Sequence, residues 1–142
     1  GRTPDALKLY MEIANGDDAI LANVARIRAA WITADTASRV DLEKLLAPLT
    51  DASNGWNPMA REILAYSDFH NGKIPQALSE YKKLAADNTL PDSLRQRCVA
   101  MATYLGAGGG QNYGTVPPPP APKPVAPANT LAAPIPQGPQ KK

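Results

Sequence analysis

Apolar residues recur along residues 4–105 at spacings of three and four positions, the pattern of helices that bury one face. The clearest case is the segment 74–86, where Ala77, Tyr81 and Leu84 share one face. A helix of this length is too short to be stable alone in water, so this face must pack against other helices. No segment alternates apolar and polar residues over the length of a strand. The pattern therefore predicts an all-α fold.

Capping residues and helix breakers divide this region into six predicted helices. Asp17 or Asp18 is placed to cap the second helix, and Asn57 is placed to cap the fourth, with Pro58 at its first helical position. Asn71-Gly72 is a typical stop for the fourth helix. The predicted helices cover 4–14, 19–34, 39–49, 58–70, 74–86 and 92–105.

The helix faces repeat along the chain. Leu42, Leu46 and Leu49 stand 35 residues before the face of segment 74–86, and a third copy stands a further 36 residues earlier, at Ala6, Tyr10 and Ile13. A helix-turn-helix unit of about 34 residues is the period of the tetratricopeptide repeat. The residues at the preferred spacing of that repeat are Leu64, Ala65, Gly72, Ala77, Tyr81 and Leu84. The chain therefore resembles a tetratricopeptide-like array over residues 4–105, which implies helical hairpins forming about two and a half repeats, closed by a capping helix.

A second resemblance concerns the segment 56–105, which is similar to the YfgM-like ancillary subunits of the bacterial SecYEG translocon. The matching residues are Trp56, Ala60, Glu62, Leu64, Ala65, Gly72, Ala77, Leu84, Pro91, Leu94, Arg95 and Arg97. The resemblance implies one transmembrane helix followed by a repeat domain on the periplasmic side of the inner membrane. It implies translocon subunits, exported chains or periplasmic chaperones as partners. This chain has no run of about 18 apolar residues, so we expect a membrane anchor to lie outside this sequence.

The composition changes at Gly106. Ten of the fifteen prolines and five of the ten glycines lie beyond it, a density that helices do not tolerate. The sequence therefore predicts a helical domain over 1–105 and a disordered, proline-rich tail over 106–142. The tail carries three lysines and no acidic residue, whereas acidic residues slightly outnumber basic ones before it. The net charge of +2 thus belongs to the tail, and no basic stripe predicts nucleic-acid binding.

The segment 117–124, PPPPAPKP, favours the polyproline II conformation, which aromatic grooves bind at low entropic cost. Lys123 does not stand at the usual offset from a P-x-x-P pair. A spacer, or a crossing of the bacterial envelope, is the preferred interpretation of the tail, and a specific ligand is the alternative.

The 35-residue period predicts a concave surface lined by the first helix of each unit. The predicted partner-binding residues are Val24, Ile27, Trp31, Met59, Glu62, Tyr66, Phe69, Arg97, Met101 and Tyr104. Such a surface suits amphipathic helices or extended apolar segments. Arg97 is its only basic residue, so a clamp for C-terminal carboxylates is not predicted. The same aromatic residues can instead be core, packed against a further helix, and both interpretations remain open.

The sequence does not predict an enzyme. His70 and Cys98 are the single histidine and cysteine, and neither stands in a catalytic motif or a metal-ligand pattern. Cys98 is expected to be a buried apolar residue. We therefore predict a non-enzymatic scaffold for protein–protein interactions with no catalytic residue, metal or cofactor. The alternatives are an adaptor or envelope protein whose proline-rich tail makes the specific contact and, more remotely, an enzyme that uses the Cys98 thiol.

Overall fold

The computed structural model describes residues 3–112, which form α-helices and short 3-10 helices without a β-strand in that range. The all-α prediction is confirmed, and every predicted helix is present. The α-helices are α1 (Thr3–Ala14), α2 (Ala19–Thr33), α3 (Arg39–Leu46), α4 (Asn57–His70), α5 (Ile74–Ala86) and α6 (Asp92–Gly106). Two 3-10 helices follow α3 and α6, at Ala47–Leu49 and Gly109–Asn112. Within residues 3–112, no helix combines the length and apolar character needed to cross a membrane.

Polar side chains fix the helix starts, in one case differently from the prediction. The Asp18 carboxylate accepts the backbone N–H groups of Ile20 and Leu21 at 2.9 and 3.0 Å, as expected of an N-cap residue. Asn57 does not cap α4. It lies in the first turn of that helix, where its buried side-chain amide donates to the Thr50 carbonyl at 2.8 Å. The amide therefore donates to the carbonyl of the residue that follows the 3-10 helix. It does not accept a hydrogen bond from an N–H group of α4, as a capping side chain would.

The third predicted helix is shorter than the segment 39–49. Its α-helical part ends at Leu46, and the chain tightens into the 3-10 helix Ala47–Leu49. Pro48 has no N–H to bond to the carbonyl four residues earlier, so the α-helical pattern cannot continue through it.

Gly72 ends α4 as predicted. Its φ of 75° lies in the left-handed region, where a side chain is disfavoured. The Gly72 N–H donates to the Phe69 carbonyl at 3.0 Å, and the Lys73 N–H donates to the Asp68 carbonyl at 2.8 Å. This pair of bonds is the Schellman motif, which satisfies the last carbonyls of the helix and turns the chain toward α5.

The core consists of two clusters that share helix α4. Cluster 1 joins α2, α3 and α4 through Ile27, Ala30, Ala34, Leu42, Leu46, Leu49, Ala60 and Ile63. Cluster 2 joins α4, α5 and α6 through Ala65, Phe69, Ala77, Tyr81, Leu84, Leu94, Cys98 and Leu105. The α5 face that the sequence singled out is thus buried between α4 and α6, as predicted.

Helix α1 packs against α2, but its face is less buried than the repeat pattern suggests. Ala6 and Tyr10 are half-buried, and Ile13 is 36% exposed. By contrast, their counterparts on α3 and in the following 3-10 helix are buried. The spacing therefore identifies the face correctly, but it does not determine how much of that face the neighbouring helices cover.

Residues 106–112 form a defined turn on the helices instead of the start of the predicted tail. Gly108 takes a left-handed φ of 83°, and the 3-10 helix Gly109–Asn112 follows. A Cβ at Gly109 would lie 2.2 Å from the Tyr104 ring, and one at Gly110 would lie 2.6 Å from Ile74 Cδ1. The glycines thus permit a close approach that larger residues would block. The rest of the predicted tail, 113–142, lies outside the described residues.

Gly72→Ala is expected to lower the free energy of unfolding by about 1 kcal/mol, because alanine is strained in the left-handed region. Gly55→Ala is the matched control: a Cβ at either glycine meets no atom within 4 Å, but Gly55 does not have a positive φ. Urea unfolding of both variants measures the difference. Equal effects would show that the backbone conformation of Gly72 is not the stabilising feature.

Candidate protein-interaction site

Four aromatic residues from three helices form a continuous row, here called the aromatic row. Trp31 of α2 and Tyr66 of α4 have ring centroids 5.7 Å apart in a tilted arrangement. Tyr66 and Phe69, both on α4, meet edge to face at 6.0 Å. Phe69 meets Tyr104 of α6 edge to face at 6.3 Å. These are favourable geometries for aromatic pairs, so the rings hold one another in place across the three helices.

The contacts between these helices have a constant sequence separation. Trp31 and Tyr66 are 35 residues apart, and so are Phe69 and Tyr104. The ion pair between Glu62 and Arg97 has the same separation, two helical turns earlier on α4 and α6. Equivalent positions on α2, α4 and α6 therefore face one another. The row forms because aromatic residues occupy several of these positions.

The row combines exposed and buried rings. Trp31 and Tyr104 are 40% and 45% exposed, Tyr66 is half-buried, and Phe69 is only 4% exposed. Phe69 therefore forms a floor between Tyr66 and Tyr104, while the two outer rings face solvent. An exposed aromatic side chain fixed by other rings offers a large, rigid contact area at little entropic cost.

The structure separates the predicted partner-binding residues into three groups. Ile27, Phe69 and Glu62 are buried, so they support the surface from below and do not face a ligand. Trp31, Arg97 and Tyr104 are exposed. Val24, Met59, Tyr66 and Met101 are half-buried. The groove and core interpretations therefore each describe a part of this set.

Glu62 and Arg97 neutralise each other. Arg97 Nε and a terminal guanidinium nitrogen donate to the two Glu62 carboxylate oxygens at 3.0 and 2.8 Å, and the Glu62 side chain is 6% exposed. The hydrogen bonds to Glu62 raise the pKa of Arg97. A buried carboxylate needs such a bidentate partner, so Arg97 is occupied and is not a free cation for a ligand carboxylate.

Two polar residues beside the row were missed by sequence reasoning. The Tyr66 hydroxyl donates to the Asp35 carboxylate at 2.7 Å, and the His70 ring stacks on Tyr66 at 6.2 Å. Asp35 stands four residues after Trp31, and His70 stands four residues after Tyr66. This helical spacing was the available signal. Asp35 thus places an exposed carboxylate beside Tyr66, 3.8 Å from His70 Nδ1.

Cys98 is fully buried in cluster 2, as predicted. Burial is the main cause that raises its pKa to about 11, and the neighbouring Glu62 carboxylate contributes. The thiolate is the nucleophilic form of cysteine, so this thiol is poorly suited to attack a substrate at neutral pH. Among residues 3–112, no three histidine, cysteine or acidic side chains are grouped closely enough to hold a metal ion.

Two surface clefts are lined by charged residues that are already paired. The first, of about 510 Å³, contains Arg39 and Arg61, whose guanidinium groups contact Asp68 and Glu80 respectively. The second, of about 660 Å³, lies where the loops before α4 and α6 meet, and its basic residues include Arg97. In both clefts the arginine charges already have carboxylate partners, so neither cleft offers a free cation of the kind that holds an anionic ligand.

Arg97→Ala is expected to lower the free energy of unfolding by about 2 kcal/mol, because it leaves the buried Glu62 carboxylate unpaired. Arg95→Ala on the same helix is the matched control. Arg95 pairs with the exposed Asp92, so this variant is expected to lose less than about 1 kcal/mol. Denaturant unfolding at pH 7 measures both losses. Equal losses would mean that the Glu62 pair is no more stabilising than a surface pair.

The stability of the fold is expected to fall between pH 9 and pH 11. Burial raises the pKa of Cys98 from 9.0 to about 11 and also raises the pKa of Tyr81 above its ordinary value. Both groups favour their neutral forms in the folded protein. This stabilisation is therefore complete below pH 9 and is lost as the pH rises through the folded-state values.

Between pH 8 and pH 10.5, ionisation of Cys98 is expected to lower the free energy of unfolding by about 2 kcal/mol. Over the same interval, the unfolding free energy of Cys98→Ala is expected to fall by about 2 kcal/mol less than that of the wild-type protein. The part of the fall that Tyr81 causes should remain. Unfolding free energies of both proteins at the two pH values measure the difference. Parallel pH profiles would contradict the assignment.

Residues 3–112 thus present an aromatic surface with two exposed rings, and a neutralised ion pair lies two helical turns away on α4 and α6. Aromatic residues are enriched in protein–protein interfaces, where lysine and glutamate are depleted. Comparison of the chain with protein-family models, with curated proteins and with solved structures finds no match.

Proposed function

We propose that this chain is a non-enzymatic protein-interaction module that binds an apolar segment of a partner protein along the aromatic row. The observation that carries the proposal is the exposure of Trp31 and Tyr104 at the two ends of a row whose inner rings, Tyr66 and Phe69, hold them in place. Residues that dominate binding energies are commonly aromatic side chains in such pre-organised positions.

The helical arrangement is proposed to be tetratricopeptide-like, with about two and a half repeats and α6 as the cap. Support comes from the three contacts between residues 35 apart, which join α2 with α4 and α4 with α6. Further support comes from Ala60, Ala65 and Ala77, which are buried where small residues let helices approach closely. In such arrays the first helices of successive units line one concave surface.

The chemistry of the surface favours an apolar ligand. The Arg97 charge is taken up by Glu62, so no free cation stands ready for a C-terminal carboxylate. An amphipathic helix or an extended apolar segment can bury the exposed faces of Trp31 and Tyr104 and the half-buried Met101.

The proposed location is the periplasmic side of the bacterial inner membrane, with translocon subunits, exported chains or periplasmic chaperones as partners. The support is the resemblance of segment 56–105 to the YfgM-like translocon subunits. Several residues that carry this resemblance, among them Ala60, Ala77 and Leu84, are buried packing positions. These buried residues therefore support the proposed helical arrangement. The proposed partners are supported only by the resemblance of the whole segment.

A second candidate function is an adaptor in which the proline-rich segment 117–124 makes the specific contact. Its four consecutive prolines favour polyproline II, which aromatic grooves of other proteins bind. The two candidates differ in which part of the chain touches the partner, so variants of the row and variants of the segment distinguish them.

The double substitution Trp31→Ala with Tyr104→Ala is expected to reduce partner capture at least about tenfold, since each ring removed from an interface commonly costs 1 kcal/mol or more. The measurement is crosslinking of the full-length protein in bacterial inner membranes, followed by quantification of translocon subunits and exported chains. Val40→Ala with Val99→Ala is the matched control, because both valines are at least as exposed as the two rings but lie outside the row.

Thermal unfolding checks that both double variants remain folded. Unchanged capture by a folded Trp31/Tyr104 variant would move the binding away from the row. Equal loss in the valine control would indicate general apolar adhesion. If only replacement of the segment 117–124 abolishes capture, the adaptor function is favoured.

A further inference from the structure

The larger of the two clefts lies between the loops that precede α4 and α6, and it is here called the loop cleft. Its volume of about 660 Å³ is enough for a short stretch of peptide chain. Apolar side chains from both helices and from the second loop form part of its lining. Among them, Met59 and Leu90 are half-buried, and Leu94 is buried. The cleft therefore offers an apolar surface to a ligand side chain.

One polar side chain in this lining has an unused acceptor. Asn57 is 9% exposed, and its side-chain N–H donates to the Thr50 carbonyl at 2.8 Å. Asn57 Oδ1 accepts no hydrogen bond from residues 3–112, and it is not among their fully enclosed polar atoms. Because the side chain is nearly buried and lines the cleft, a ligand that brings an N–H donor can satisfy this oxygen.

The starts of the two helices supply donors to the same cleft. Met59 of α4 and Ser93 of α6 lie in first turns, where N–H groups have no partner within the helix and point toward the preceding loop. Neither helix has a side-chain bond at its N-cap. Together with Asn57 Oδ1, the cleft thus offers both donors and an acceptor. An extended peptide presents the complementary set, since each residue carries one N–H and one carbonyl group.

The charge of the loop cleft favours a cation. Arg61 and Arg97 are the basic residues in its lining, and both are paired with glutamates. Asp87 is the acidic residue in the lining, and it forms no ion pair within residues 3–112. Hydrogen bonds from Thr89 lower the pKa of Asp87, so its carboxylate is charged at neutral pH. A lysine or arginine side chain of a ligand would therefore find an uncompensated negative charge.

Hydrogen bonds hold both loops in place. In the loop before α4, the Asn54 side chain donates to the Pro48 carbonyl at 3.1 Å and accepts from the Trp56 N–H at 2.9 Å. In the loop before α6, Asp87 Oδ1 accepts from the N–H and the hydroxyl of Thr89 at 2.9 and 2.6 Å. The cleft is thus formed before a ligand arrives, which lowers the entropic cost of binding.

We propose that the loop cleft binds an extended segment of a partner protein in which a lysine or arginine stands next to an apolar residue. A backbone N–H of the segment donates to Asn57 Oδ1, the apolar side chain packs on the apolar lining, and the basic side chain pairs with Asp87. The proposal goes beyond the proposed function, because Met59 of the cleft lies about two helical turns before Tyr66 of the aromatic row. The two surfaces can therefore be tested separately.

The test is an NMR titration of the full-length protein with the peptide Ala-Leu-Lys-Ala, acetylated and amidated at its ends. We expect saturable shifts of the Asn57 side-chain amide and of the Ser93 backbone N–H, and no shift of the Trp31 indole N–H. One comparison peptide replaces lysine by norleucine, which removes the charge and keeps most of the side chain. Another replaces leucine by serine. Each is expected to bind at least about threefold more weakly.

Asp87→Asn is the matched variant, because its amide oxygen can still accept from Thr89 while the charge is removed. This variant is expected to bind the lysine peptide about threefold more weakly and to bind the lysine and norleucine peptides equally. Asp51→Asn is the control. Asp51 accepts equivalent hydrogen bonds from Ser53 in the loop before α4, but it does not line the cleft. This control is expected to keep the wild-type preference for lysine.

Three outcomes would overturn the proposal. The first is equal affinity of the wild-type protein for the lysine and norleucine peptides. The second is a shift of the Trp31 indole without shifts of Asn57 and Ser93, which would place the peptide on the aromatic row. The third is an equal loss of affinity in Asp87→Asn and Asp51→Asn, which would indicate general electrostatic attraction. The proposed function stands apart from all three, since it is tested by partner capture with the Trp31/Tyr104 variant.

Discussion

Helix α4 is buried on two sides, and the rest of the fold depends on this constraint. Ala60 and Ile63 face cluster 1, Ala65 and Phe69 face cluster 2, and Tyr66 contacts both clusters. A helix of this length has little stability in isolation, so it requires both sets of neighbours. Conversely, the other helices of each cluster are linked to those of the other cluster mainly through α4.

The small residues of α4 set the geometry of the surface. Ala60, Ala65 and Ser67 are 0–1% exposed, and their size allows α2, α3 and α5 to approach the α4 backbone. With α4 positioned in this way, residues 35 apart come into contact on α2, α4 and α6. The aromatic row and the Glu62–Arg97 pair are two results of the same helix positions, which is why they share one sequence separation.

Helical periodicity was sufficient to predict the six helices, the buried face of α5 and most helix ends, because these depend on neighbouring residues. It was not sufficient to separate Phe69 from Tyr104: both lie on the predicted surface, yet one is buried and the other exposed. Periodicity tells which residues share a face, while coverage depends on the distance to the next helix. The glycines after Leu105 were misjudged for a related reason. Composition suggested an irregular tail, whereas Gly109 and Gly110 pack against Tyr104 and Ile74 through contacts that only the folded chain creates.

The charged side chains of α4 are paired with those of the neighbouring helices. Helix α4 forms an ion pair with each of three neighbours: Asp68 pairs with Arg39 of α3, Arg61 with Glu80 of α5, and Glu62 with Arg97 of α6. These pairs link α4 to its three neighbours and neutralise charges that are partly or fully buried. The row itself presents two exposed rings, Trp31 and Tyr104, and the exposed Asp35 carboxylate accepts from the Tyr66 hydroxyl beside them. In the proposed function, the positions of these exposed rings would select an apolar ligand.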